Sequence, residues 1–231
     1  MRRFVQRVLG PTALALVLAA IVSPTARAGL VINGSFEAVQ ITTEFSSNPA
    51  DIPSWTHTGN PGDALLWRAG PQCCGGTNTA KAGNGNQFVT MGGGFDSIGS
   101  AAWSQVINGL TVGQTYDVDF MIASEGETST QNVTVGFTTG SPTGPQTFTS
   151  IPTSTLFWQN WGSEQYSFVA GAASATLQFS VTNQRYDVGL DDVSIVPALS
   201  SVPEPGSLFP LGATLLLGLF AAKRNRSRHT C

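Results

Sequence analysis

The chain has 231 residues, of which 11% are charged, and a formal net charge of −3. Eight of its eleven Lys and Arg lie in residues 1–28 or 223–231, so residues 29–206 hold only Arg68, Lys81 and Arg185 against all fourteen acids and carry −11. Such a surface repels nucleic acid and anionic lipid and suits divalent cations or neutral polymers.

At the start, Arg2, Arg3 and Arg7 precede an apolar stretch from Val8 to Val22, and Ala26-Arg27-Ala28 supplies small residues at A-x-A positions. A basic head, a short apolar run and this site predict a secretory signal peptide over 1–28, cut after Ala28 by signal peptidase.

Residues 29–197 form one domain by length. They are rich in Gly, Thr, Ser and Asn and show no helical period. Tyr116, Val118, Phe120 and Ile122 alternate with Asp117 and Asp119, and Leu177, Phe179 and Val181 alternate with Thr176, Gln178 and Ser180. The stretches 133–137 and 165–169 behave alike. Period two with one polar face predicts half-buried antiparallel strands. Asn108-Gly109 and Val112-Gly113 punctuate them as turns. Many short strands between turn signals predict an all-β fold, a β-sandwich or jelly roll. In Leu190-Asp191-Asp192-Val193-Ser194-Ile195 the apolar parity slips, which predicts a β-bulge at the aspartate pair.

Cys73 and Cys74 are adjacent, and the third cysteine, Cys231, lies in the basic tail at the end of the chain. In an oxidising compartment the neighbouring pair could close a strained ring, remain as thiols or bridge two chains. No C-x-x-C pair indicates a zinc site.

The chain then runs through a linker, 198–206, into an apolar stretch, 207–222, and a basic tail, 223–231. The apolar stretch is slightly shorter than the roughly 20 residues a span prefers, and the cations after it would remain cytoplasmic. Pro203-Glu204-Pro205, the apolar stretch and Lys223-Arg224-Asn225-Arg226 together resemble the PEP-CTERM sorting signal of Gram-negative bacteria. That resemblance implies export across the inner membrane, transient anchoring by the C-terminal transmembrane helix and processing by an exosortase, leaving the product at the cell surface or in the extracellular matrix.

The opening Leu30-Val31-Ile32-Asn33-Gly34-Ser35-Phe36-Glu37 and the closing Leu190 to Ile195 bracket the domain. Ile52-Pro53-Ser54-Trp55, Gly85-Asn86-Gln87-Phe88-Val89, Trp103-Ser104-Gln105-Val106 and Gly113-Gln114-Thr115-Tyr116 follow in order between them. This set resembles the galactose-binding-like jelly rolls, which include several carbohydrate-binding modules. The resemblance implies a structural calcium where first and last strands meet, at Glu37 and Asp191 with Asp192 as a further ligand. Carboxylates completed by main-chain carbonyls suit that ion. Asp63 is a weaker candidate.

Five tryptophans lie in the exported part. Trp55 and Trp103 fall in the motifs above and are expected in the core. Trp158-Gln159-Asn160-Trp161 alternates rings and amides, so Trp158 and Trp161 are the candidate glycan-stacking residues. No catalytic residue emerges. His57 is the one histidine outside the tail and is expected in an exposed loop, and Glu125 and Glu127 read as a charged turn between strands. A glycosidase needs two carboxylates placed across a cleft. The sequence therefore points to a non-catalytic surface protein that binds glycan or belongs to an exopolysaccharide matrix. A glycoside hydrolase or lyase on the same scaffold is the alternative.

Overall fold

The computed structural model describes residues 29–60, 62–71, 79–93, 98–126, 130–152 and 157–198. The expected signal peptide, Cys73 and Cys74, Glu127, the Pro203-Glu204-Pro205 motif and the 207–222 stretch lie outside them. Among the described residues no helix is long and apolar enough to cross a membrane.

The described chain is all-β. Its strands are β1 (Phe45–Ser46), β2 (Thr56–Thr58), β3 (Ala64–Arg68), β4 (Gly70–Pro71), β5 (Thr79–Ala80), β6 (Gln87–Met91) and β7 (Gly99–Asn108). Then come β8 (Thr115–Ser124), β9 (Asn132–Thr139), β10 (Gln146–Thr149), β11 (Gly162–Val169), β12 (Ser174–Gln184) and β13 (Val188–Pro197). They form a six-stranded sheet in the order β1-β3-β6-β13-β8-β11 and a five-stranded sheet in the order β10-β9-β12-β7-β2, with β4 and β5 paired apart. Neighbours in both large sheets run antiparallel.

The alternation in the sequence builds the main core. On β8, Tyr116, Val118, Phe120 and Ile122 are buried, and on β12 Ala175, Leu177, Phe179 and Val181 are buried. The two rows face each other across the sandwich, where Phe120 meets Phe179 edge-on at 5.1 Å between centroids. Trp103 and Trp55 join this core, as expected from their motifs.

A second core lies on the other side of the six-stranded sheet. Leu65, Trp67, Phe88 and Ala123 point away from the first core and are covered by Ala80, Phe157 and Trp158. Strands β3 and β6 are therefore buried on both faces.

The segment before β1 is irregular, and two buried glutamines hold it. The Gln105 side chain accepts from the Ile32 amide and donates to the Ile32 carbonyl, each at 2.8 Å. Gln87, fully buried, donates to the carbonyls of Phe36 and Val39 and accepts from the Ile41 amide. Each glutamine thus replaces ladder bonds that an extra strand would have supplied.

Candidate functional site

The bulge expected at the aspartate pair is present. Register along β13 shifts between Asp191 and Ser194, and Asp192 takes a left-handed φ of 49°. The Val193 amide, released from the ladder, donates to the Gly34 carbonyl at 2.9 Å. That bond brings the Phe36-Glu37 segment alongside β13.

Glu37, Asp191 and Asp192 all meet the turn at 84–87. The Asn84 amide donates to Asp191 at 2.8 Å and the Asn84 side chain to Asp192 at 3.1 Å. The Gln87 amide donates to Glu37 at 2.7 Å, and the Asn86 amide donates to the same oxygen. Asp191 is fully buried. Its carboxyl is pushed up to about 7, first by loss of water, then by the charges of Asp192 and Glu37, against the amide bonds that lower it. The hard-oxygen chemistry fits calcium. The arrangement does not present a closed ligand set: the oxygens accept amide hydrogens, and among the described residues no three His, Cys, Asp or Glu side chains are grouped to hold one metal ion. Asp63 stands apart at one end of the sheet, where its carbonyl accepts from the Gly92 amide and its carboxylate from the Asn60 side chain.

The two candidate stacking rings belong to the second core. Trp158 has 0% exposure and packs against Trp67 at 5.0 Å and Phe88 at 5.2 Å. A ring without an open face cannot stack on a sugar, so the expectation for Trp158 is corrected. Trp161 is half-buried, edge-on to Phe88 at 5.3 Å, with its indole N–H on the Lys81 carbonyl. The ring–amide alternation in the sequence reflects a cover strip over the sheet.

Two further expectations change. Glu125 is 2% exposed. It is bonded into the sheet end through its own amide on the Asp187 carbonyl and the Asp187 amide on its carboxylate. Its carboxyl is pushed up to about 8, by burial first and the Asp187 charge second. A raised carboxyl beside a second one resembles an acid–base pair, but both residues are only 2% exposed. His57 is not in a loop: it pairs with Trp103 across β2 and β7, and its ring lies 5.1 Å from the indole.

The outer face of the five-stranded sheet is the surface that the sequence did not single out. Alternation and register place Thr56 and Thr58, Ser104 and Val106, Thr176, Gln178 and Ser180, Thr134 and Thr138, and Thr147 and Thr149 on it. Every one is uncharged. Hydroxyls bond to each other across strands, Thr134 to Thr147 and Thr139 to Thr176, each at 3.1 Å. A depression of about 230 Å³ crosses β9 and β12, walled by Gln178, Ser180, Thr134, Thr138 and Pro145 over Gly136, while the Phe137 ring turns inward onto Phe168 at 4.1 Å. Gly136 lies beneath Pro145, where a Cβ would come within 2.9 Å of the proline Cβ. The corresponding hollow on the six-stranded sheet, about 350 Å³, is lined instead by Asp119, Glu164 and Asp192 with Ser163 and Ser194.

The chain matches no protein-family model and no curated protein sequence. Among solved structures it is similar to TmCBM61 in complex with β-1,4-galactotriose: 17% identity, TM-score 0.50, over 74% of this chain and 99% of that one. It is also similar to the CBM22-1 xylan-binding domain of Paenibacillus barcinonensis Xyn10C, with 15% identity, TM-score 0.44, and 76% and 99% coverage. A third is the K2 cleaved adhesin domain of Lys-gingipain, with 15% identity, TM-score 0.44, and 70% and 96% coverage. The likeness to TmCBM61 shows the fold, a jelly-roll sandwich shared with carbohydrate-binding modules.

Proposed function

We propose that this is an exported, non-catalytic glycan-binding protein, anchored through its C-terminal apolar stretch until an exosortase removes the tail, and associated with extracellular polysaccharide. The uncharged hydroxyl and amide face of the five-stranded sheet carries the binding part of this reading. A neutral polysaccharide offers many hydroxyls and weakly apolar ring faces. Gln178, Ser180 and Thr134 supply donors and acceptors for the first, and Pro145 supplies apolar contact for the second. The fold likeness to a module solved with galactotriose supports the same class of ligand. The basic residues are too few and the surface too acidic to favour polyanionic polymers.

Calcium at Glu37 and Asp191 belongs to the proposal as a structural ion. A divalent cation there would offset the burial that chiefly raises Asp191, and also the charges of Asp192 and Glu37 beside it. Signal peptidase and exosortase act before the mature form exists, and the Ala26-Arg27-Ala28 and Pro203-Glu204-Pro205 segments support them as partners.

Titration of the purified exported part against a panel of neutral, anionic and amino-substituted oligosaccharides tests the function. Saturable binding of a neutral member without release of reducing ends is expected. Cleavage of any member moves the protein to the hydrolase or lyase class.

A further inference from the structure

The two ends of the sandwich differ in charge. Register sets Ser124, Val188 and Gly162 near one end and Thr115, Pro197 and Val169 near the other. Asp63, Glu125, Arg185 and Asp187 lie at the first end. At the second, residues 106–116, 138–149 and 168–178 contain no charged side chain at all, nor do residues 29–32. The first carboxylate met from that end is Asp117, one pleat in and bonded by the Ser167 hydroxyl.

That uncharged end is also firmly built. The Gly113 amide donates to the Ala170 carbonyl at 2.7 Å and the Leu110 amide to the Ala173 carbonyl at 3.1 Å. The Gly171 amide reaches the Gly140 carbonyl at 2.8 Å, and the Tyr166 hydroxyl donates to the Gly144 carbonyl at 2.8 Å. Three connections, 109–114, 140–145 and 170–173, are thereby laced together. Val112 stands out from the first of them at 63% exposure, and Val169 and Val196 are exposed beside it.

The chain leaves the domain at this same end. Ala198 is the last described residue, its amide on the Thr115 carbonyl at 3.0 Å. Eight residues, 199–206, separate it from the apolar stretch that starts at Ser207. Fully extended, the nine Cα steps from Ala198 to Ser207 reach at most about 32 Å. The nine steps along a ten-residue strand such as β8 already cover about 30 Å. An anchored chain that turned its charged end to the bilayer would need the linker at full stretch along the domain, whereas the uncharged end meets the bilayer with the linker slack. The charge difference acts in the same direction, since an anionic phospholipid surface repels the carboxylate-bearing end and not the bare one.

We propose that the uncharged end, with Val112 at its tip, rests on the phospholipid surface while the tail anchors the chain. This rests on the anchored reading above. It leaves the outer face of the five-stranded sheet standing roughly along the membrane normal, open to polymer from the side.

The test uses the full-length chain in vesicles of phosphatidylethanolamine and phosphatidylglycerol that carry a lipid-borne quencher. A fluorophore is attached at Val112→Cys or, at the opposite end, at Thr182→Cys, with Cys73, Cys74 and Cys231 replaced by Ser. Vesicle flotation is read on the same samples. The expected result is loss of most emission at 112 and its retention at 182, in protein that floats with the vesicles. Equal emission at the two positions in floating protein overturns the proposal and leaves anchoring intact. Shielding of 112 from both lipid and aqueous quenchers overturns it in favour of a protein partner. Failure to float overturns the anchored reading, and this inference falls with it.

Discussion

Gly189 lies directly beneath Trp158. A Cβ at this position would come within 2.9 Å of the Trp158 ring and 2.8 Å of the Trp161 ring. The sheet surface under the cover strip is therefore shaped by an absent side chain, and the rings settle onto bare backbone between Thr90 and Ala123.

Truncating the buried ring should cost about 3–5 kcal/mol, the usual range for a core aromatic. Denaturant unfolding of Trp158→Ala checks this. Gly189→Ala should also destabilise the domain, because neither indole can retreat without opening the second core. Wild-type stability in both variants would show that the cover strip is loosely held.

Glu125 makes stability depend on pH. Its carboxyl rises from 4.5 to about 8 in the folded state, chiefly through burial. Below about 4.5 both folded and unfolded chains hold the proton. Between there and about 8 only the folded chain does, so stability falls as pH rises through that window, by up to about 1.4 kcal/mol per unit. Unfolding midpoints at several pH values should slope downward for wild type and less steeply for Glu125→Gln. Identical slopes in the two proteins would remove Glu125 as the cause.

How much of this was legible in the sequence follows from which faces are wet. Strands β8, β11 and β12 keep one polar face, so Tyr116 to Ile122 and Leu177 to Val181 announce themselves by alternation. Strands β3 and β6 are covered on both faces, which erases the period: Ala64-Leu65-Leu66-Trp67 reads only as an apolar run. The second core was hidden because Trp158 and Phe157 come from a loop about 70 residues distant from Phe88, and nothing local marks a ring that folds back. The bulge at Asp191 and Asp192 was readable from a parity slip. The burial of Glu125 was not, since Ser124-Glu125-Gly126 has the composition of a surface turn and the Asp187 backbone that claims it is remote. The uncharged sheet face escaped notice because a Thr- and Ser-rich strand face is ordinary residue by residue and acquires meaning only when five strands are set side by side.

Calcium can be tested independently of any glycan. Free ion at about a hundred times its Kd should add about 2.7 kcal/mol to the folded state. Thermal melting should therefore drop on chelation in wild type, and Asp191→Ala should abolish the response. An unchanged melting temperature in excess chelator would leave Glu37 and Asp191 as acceptors for the 84–87 turn and nothing more.

The most direct measurement is the affinity of Gln178→Ala for a neutral oligosaccharide bound by wild type, with Asp119→Asn on the opposite sheet as control. Gln178 is half-buried in the wall of the uncharged depression. One hydrogen bond lost to a neutral partner is worth about 1 kcal/mol, or roughly fivefold in Kd. The account predicts that weakening for Gln178→Ala with melting unchanged, and wild-type affinity for Asp119→Asn. The reverse pattern would contradict it and move the site to the acidic hollow of the six-stranded sheet.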